Sequence, residues 1–258
     1  MDLGIKGKRA LVTGAGRGIG RAVAAALARE GAHVAAVART LPDIESLLKE
    51  LKAGGGSHYG EALDLMPEGA AAALARRLPE KFGPVDIVVH NVGGTLDITD
   101  PYCPLSDWRK VWRHNVEIAL ELNEVLLPSM RQRKWGRVVH VASIAAAENQ
   151  GPVTYCTAKA ALTAYTRSMG RVVAADGIAM SAVLPGAIYT EGGYWDKASK
   201  ERPEHVRKYL SERMAIGRFG TLDEIRDAVC FLCSQNASFC VGSILPVDGG
   251  QGRTFFFQ

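Results

Sequence analysis

Apolar positions along the chain fall into two alternating patterns. Short runs rich in Val, Ala and Ile read as strands, and longer segments with apolar residues three and four apart read as helices. Arg9 to Thr13 is the first strand. Gly18 to Arg29 follows as a helix, with Ile19, Val23 and Leu27 on one face. Further strands are predicted at Ala32 to Ala38, Tyr59 to Leu63, Val85 to Val89, Arg137 to Ala142, Ile178 to Leu184 and Ser243 to Val247. Helices are predicted at Ile44 to Leu51, Glu68 to Leu78, Ser106 to Arg131, Val153 to Ala175 and Leu222 to Cys233. The stretch from Gly186 to Ile216 reads as irregular and polar. Regular alternation of strand and helix requires parallel strands joined by helical crossovers. The expected fold class is α/β, a doubly wound parallel sheet with helices on both faces.

A length of 258 residues leaves room for about 1.7 average domains. No linker, internal repeat or shift in composition divides the chain, so one domain spanning residues 1–258 is expected. Apolar residues make up 47% and charged residues 22%, which excludes a disordered chain. The longest unbroken apolar run, Ala22 to Ala28, is far short of the roughly 20 residues of a membrane-spanning helix. The net charge of +4 comes with no basic stripe, so neither a nucleic acid nor a membrane is an expected partner. The densest basic patch, Arg131, Arg133, Lys134 and Arg137, reads as a solvated helix end leading into a strand. Five cysteines, an odd number, follow an N-terminus that does not read as a signal peptide. Free thiols and a cytoplasmic location are expected. Cys230 and Cys233 lie on a predicted apolar helix, where packing outweighs metal or redox chemistry, and no metal site is expected.

Thr13-Gly14-Ala15-Gly16-Arg17-Gly18-Ile19-Gly20 joins the first strand to the first helix. Its glycines open backbone angles closed to other residues. They also let the chain approach a pyrophosphate at the helix N-terminus. A turn that follows a strand and opens a helix in a βαβ unit favours a dinucleotide over a ligand-free turn. The end of the second strand then selects the cofactor. An acid there binds the ribose 2′-hydroxyl of NAD; this chain has Arg39 and Thr40 instead. Arg39 and Arg17 can hold a 2′-phosphate, because the guanidinium fork bonds phosphate oxygens in pairs. NADP(H) is the expected cofactor.

Tyr155-Cys156-Thr157-Ala158-Lys159 opens the helix after Gly151-Pro152. Residues i and i+4 share a helix face, so the phenol of Tyr155 and the ammonium of Lys159 point the same way. A nearby cation favours the phenolate and suits a tyrosine to proton transfer near neutral pH. Ser143, after the strand Arg137 to Ala142, can donate to a developing alkoxide.

With these parts in hand, the chain resembles the short-chain dehydrogenase/reductase family over nearly its whole length. The resemblance rests on Thr13 to Gly20, Asp64, Asn91 to Gly93, Asn115, Ser143, Tyr155 with Lys159, Pro185-Gly186 with Thr190, and the terminal Val247-Asp248-Gly249-Gly250. It implies a single-domain Rossmann-type fold and a set of roles. Tyr155 would be the acid/base, Lys159 would lower its pKa and hold the nicotinamide ribose, and Ser143 would orient the substrate oxygen. Asn115 would hold a water in a proton relay. Gly14, Gly18, Ile19, Gly20 and Gly93 would border the cofactor. Asp64, with Leu65 beside it, would meet the adenine, and Asn91 the adenosine side. Ile188 and Thr190 would meet the nicotinamide carboxamide, with Pro185 and Gly186 also binding the cofactor. One departure is His90-Asn91-Val92-Gly93-Gly94 where the family commonly has Asn-Asn-Ala-Gly. His90 reads as a packed, hydrogen-bonded histidine rather than a catalytic one.

The family's variable substrate lid falls at about residues 190–215. Lys197, Lys200, Arg202, Arg207 and Lys208 lie there among acids, with Tyr194, Trp195 and Tyr209. Two readings stand: a dock for an acidic substrate or carrier, and an amphipathic pair of surface helices. The C-terminal third resembles the 3-oxoacyl-carrier-protein reductases, although Asp176 stands where some carrier-dependent members have a basic residue. The expected activity is NADP(H)-dependent reduction of a small-molecule ketone to a secondary alcohol, a 3-oxoacyl thioester being one substrate. A sugar or polyol dehydrogenase is the alternative, and a nucleotide-binding scaffold is disfavoured because the catalytic set is complete. Phe255 to Phe257 are expected to pack at the interface of a homotetramer.

Overall fold

The computed structural model of the chain describes residues 2–52 and 55–254. Its strands are β1 (Arg9–Thr13), β2 (His33–Ala38), β3 (Tyr59–Ala62), β4 (Ile87–His90), β5 (Gly136–Val141), β6 (Ile178–Pro185) and β7 (Ile244–Val247). All pair in parallel, in the order β3-β2-β1-β4-β5-β6-β7. The helices are α1 (Gly18–Arg29), α2 (Leu41–Lys52), α3 (Ala70–Lys81), α4 (Leu105–Trp112), α5 (Ile118–Arg133), α6 (Val153–Val173), α7 (Tyr194–Glu201), α8 (Pro203–Arg213) and α9 (Leu222–Cys233).

The period of two along a strand sorts its side chains between the two faces of the sheet. Ala10 and Val12 of β1 pack with Val23 and Leu27 of α1 and Ile225 and Val229 of α9. Leu11 packs on the opposite face with Leu74 of α3 and Leu122 and Leu126 of α5. Burial on both faces explains why the strands read as unbroken apolar runs. The strand order reverses beside β1, between β2 and β4. Ligands in such sheets bind in the crevice outside the carboxyl ends at that point.

The helical region expected from Ser106 to Arg131 is helical without a break from Leu105 to Arg133, with a π-turn at Arg113–Glu117 between α4 and α5. Two sequence expectations are corrected. The stretch expected to be irregular between Gly186 and Ile216 contains α7 and α8, the helix pair of the second lid reading. Trp195 lies 4.3 Å from Tyr209 and 4.6 Å from Phe219, ring centre to ring centre. This aromatic cluster gives the charged segment an apolar side. The basic patch is not uniformly solvated. Arg137 is 2% exposed, and its guanidinium donates to the carbonyls of Ser234 and Gly136, both at 2.8 Å. As a β5 residue its side chain points into the layer, where the end of α9 supplies the Ser234 carbonyl and β5 itself the Gly136 carbonyl. Cys230 and Cys233 are buried free thiols. Burial pushes the Cys230 thiol up to about 12, which suits packing. The tail Phe255 to Phe257 lies outside the described residues. No described helix is long and apolar enough to cross a membrane.

Candidate active site

The glycine turn closes on itself without side chains. Gly14 and Gly18 adopt φ of +64° and +56°, in the left-handed region. A Cβ at Gly20 would lie 2.4 Å from the Gly14 carbonyl oxygen, so only glycine lets α1 start this near the turn. Asn91, at the end of β4, donates from its side-chain amide to the carbonyls of Thr13 (3.2 Å) and Gly14 (3.1 Å). Its amide therefore fixes the turn as well as bordering the cleft.

Outside the carboxyl ends of the strands runs one long cleft. Gly14, Arg17 and Ile19 line its first part, with Arg39 and Thr40 beyond β2. Asp64 and Leu65 follow, and Asn91 and Gly93 form the middle. Ser143, Tyr155 and Lys159 lie toward the other end, with Pro185, Gly186 and Thr190. Arg17 and Arg39 are exposed and make no side-chain bond to another described residue. Four expected residues are not on the lining. Gly18 and Gly20 act through the backbone of the turn. Ile188 packs against the core beside α9. Asn115 stands behind the wall, where its Nδ2 donates to the carbonyls of Gly94 and Val111, both at 2.8 Å. Its Oδ1 accepts from the Gly94 N–H at 3.0 Å. The π-turn that carries Asn115 is a device found often at functional sites.

Lys159 is 2% exposed and donates from Nζ to the Val141 carbonyl at 3.0 Å. Burial holds its ammonium down at about 8. Its Nζ lies 5.6 Å from the centre of the Tyr155 ring. A Cβ at Gly93 would lie 2.7 Å from Asn115 Oδ1 and 2.8 Å from Lys159 Nζ, so the bare glycine leaves room for both. Ser143 Oγ accepts from the Ala145 N–H at 3.1 Å, capping a short 3₁₀ turn. Burial pushes the Tyr155 phenol above its ordinary value, the Ser143 hydroxyl pulls it down, and Cys156 adds to the rise. Burial is the largest of these influences on Tyr155.

Three contributors were not legible in the motifs. Arg113, first in the π-turn, donates to the carbonyls of Leu65 (3.1 Å), Met66 (3.1 Å) and Pro67 (2.9 Å). It also pairs with Glu121 at 2.5 Å. This clamp holds the Asp64–Leu65 wall in place. His114 lines the cleft, and its buried Nδ1 has no partner among the described residues. Burial pushes its imidazole below the ordinary value, helped by Lys159 and Arg39 and opposed by Asp64. Gln251 bonds three separate segments around the end of the cleft that holds Tyr155. The only sequence signal for these three is polarity beside a recognised motif.

The family model described as Enoyl-(Acyl carrier protein) reductase matches residues 14–251. The 3-oxoacyl-[acyl-carrier-protein] reductase FabG of Pseudomonas aeruginosa is 35% identical over 249 residues, covering 96% of this chain and 98% of that one. The crystal structure of L-sorbose reductase from Gluconobacter frateurii, complexed with NADPH and L-sorbose, superposes with a TM-score of 0.92. Sequence identity there is 32%, over 99% of this chain and 100% of the other. A 3-oxoacyl (acyl-carrier-protein) reductase from Agrobacterium tumefaciens with NADP bound gives a TM-score of 0.89 at 32% identity, covering 96% of each chain.

Proposed function

The chain belongs to the short-chain dehydrogenase/reductase family, and from that premise we propose that it uses NADP(H) to reduce a ketone to a secondary alcohol. The observation that carries this reading is the meeting of Ser143, Tyr155 and Lys159 at one end of a cleft whose other end is a glycine turn flanked by two unpaired arginines. The cradle fits the cofactor: the bare Gly93 leaves room beside Lys159, and Arg17 and Arg39 offer guanidinium groups for a 2′-phosphate. Arg17, Arg39 and Thr40 would hold that phosphate end. Asp64 and Leu65 would border the adenine, and Lys159 and Thr190 the nicotinamide end. When bound, the cofactor supplies the hydride.

The chain's own residues supply position and a proton. Ser143 Oγ and the Tyr155 hydroxyl form a pair of polar groups that can receive one carbonyl oxygen. Tyr155 gives its proton to that oxygen as negative charge develops there, and the raised pKa of the half-buried phenol keeps the proton in place until then. Lys159, charged at neutral pH, holds positive potential behind the phenol as the proton leaves. Asn115 holds Gly94 and thereby the open wall beside Lys159.

NADPH oxidation measured across 3-oxoacyl thioesters, ketoses and cyclic ketones tests the reading. Tyr155→Phe is expected to abolish turnover and keep NADPH binding; retained turnover would overturn the role of Tyr155.

A sugar or polyol is the second substrate reading. Asp176 accepts from Arg131 and Lys134, both at 2.6 Å, and so offsets one of the two positive charges that face would offer an acidic carrier. Three of the five lid bases are in ion pairs: Lys200 with Asp196, Arg207 with Glu204 and Lys208 with Glu212. Turnover confined to ketoses and polyols selects this reading, and turnover confined to thioesters removes it. A cytoplasmic homotetramer is part of the proposal. Leu105, Trp112 and Val172 leave apolar surface exposed for subunit packing, and sedimentation velocity measures the assembly.

A further inference from the structure

Gln251 follows the Asp-Gly-Gly turn and is 2% exposed. Its Oε1 accepts from the Ala187 N–H at 2.7 Å. Its Nε2 donates to Gln150 Oε1 at 2.7 Å and to the Tyr209 hydroxyl at 2.6 Å. Both amide hydrogens and the carbonyl oxygen are therefore used. The partners lie in three segments far apart in sequence. Ala187 follows β6 where Gly186 borders the cleft. Gln150 precedes Gly151, whose added Cβ would touch the Tyr155 ring at 3.5 Å. Tyr209 is on α8 and belongs to the aromatic cluster with Trp195 and Phe219.

Local geometry commits Gln251 to this place. Asp248 Oδ1 and Oδ2 accept from the N–H groups of Gly250 (3.0 Å) and Gly252 (2.8 Å), fixing the turn before and after it. A Cβ at Gly186 would lie 2.8 Å from Gln251 Oε1, so only glycine lets the amide reach Ala187. The residues that follow continue across the same gap. The Arg253 N–H donates to Glu148 Oε1 and its guanidinium to the Glu212 carbonyl, both at 2.6 Å. Residues 251–253 thus form a strap between the segment leading to Tyr155 and the end of α8.

We infer that Gln251 is a positioning residue that holds lid helix α8 against the segment leading to Tyr155 and the segment after β6, and so shapes the substrate side of the cleft. The inference rests on the reductase reading for its effect on substrate, while the latch itself does not. A buried donor left without its acceptor costs more than the net value of the bond. The three segments are therefore held as a unit: losing the Gln251 amide strands the Ala187 N–H and frees Tyr209.

Gln251→Leu keeps the approximate volume and removes every bond. Tyr209→Phe keeps the ring and removes one acceptor, a milder change should the first variant fold poorly. In Gln251→Leu, amide hydrogen exchange over residues 203–213 is expected to rise about tenfold, the effect of losing roughly 1.4 kcal/mol. Exchange in β1, β4 and β5 stays as in the wild type. KM for the ketone rises by a similar factor, while kcat and the NADPH dissociation constant, measured by calorimetry, change less than about twofold. Tyr209→Phe moves exchange and KM in the same direction. Unchanged exchange over α8 in both variants would overturn the inference. So would a loosened α8 with KM unmoved. A wild-type chain that turns over no ketone sinks the reductase reading instead, and the exchange measurement still decides the latch.

Discussion

Lowering the pH should unfold this protein through two histidines that its active site does not use. His90 and His140 are register partners on β4 and β5, and their rings stack 4.7 Å apart at 13°. Thr166 Oγ1 donates to the Leu162 carbonyl at 2.8 Å, so it can only accept from His140 Nδ1, at 2.9 Å. His140 Nε2 then has no proton and faces the Asn123 amide nitrogen at 3.4 Å. Asn123 Oδ1 accepts from His90 Nε2 at 2.8 Å, which leaves His90 Nδ1 bare and without a partner. Both rings are neutral, and a proton added to either nitrogen would find no acceptor. Burial pushes His90 from the ordinary 6.5 down to about 4, against the smaller opposing effect of Asn123. His140 moves the same way, through burial, His90 and Lys159. In the unfolded chain both take up protons near pH 6.5. Stability therefore falls as the pH drops from about 6.5 to about 4, by roughly 1.4 kcal/mol per unit for each group and about 3 kcal/mol in all for His90. The assay is urea unfolding followed by tryptophan fluorescence at fixed protein concentration, between about pH 7.5 and pH 5. His90→Asn should show a pH slope shallower by about one proton over the lower part of that range. Equal slopes would mean that His90 titrates as a solvated histidine, and the neutral, acceptor-poor network would be refuted.

Arg39→Asp should cut the preference for NADPH over NADH roughly 10- to 150-fold, the equivalent of about 1.5–3 kcal/mol for a charge-assisted bond; an unchanged preference in steady-state kinetics removes Arg39 from the phosphate site. Lys159→Met should lose most turnover and yet unfold at the same or higher urea concentration. Holding Lys159 at about 8 instead of 10.5 costs about 3 kcal/mol of stability at neutral pH, and the lost Val141 bond returns only part of it; a large drop in stability would show that the buried ammonium is net stabilising. That cost appears as the pH falls from about 10.5 through about 8, so the stability difference between wild type and variant should shrink in alkaline buffer. Gly93→Ala puts a Cβ within 2.8 Å of both Asn115 Oδ1 and Lys159 Nζ, and is expected to lower kcat more than tenfold; full activity would show that Lys159 can move without cost.

The elements that were legible are those made by neighbours in the chain. The runs of β1 and β2, the spacing along α1 and the four-residue interval from Tyr155 to Lys159 all express local periods. Those periods follow from backbone geometry and are present in the sequence before any folding. The glycine turn is legible for the same reason, since its requirement for positive φ is met residue by residue. The burial of Arg137, the stacked histidines, the Arg113 clamp and the strap through Gln251 have no such signature. Each joins residues far apart in sequence, as when Gln251 meets Gln150 across 101 positions and Arg137 meets Ser234 across 97. Whether a polar side chain there is solvated or buried depends on which groups the sheet order and helix crossovers carry beside it. The reaction chemistry is thus written into local spacing. The shape of the substrate side and the response to acid arise only when the packed layers bring distant donors and acceptors within about 3 Å, where unpaired polar groups are costly.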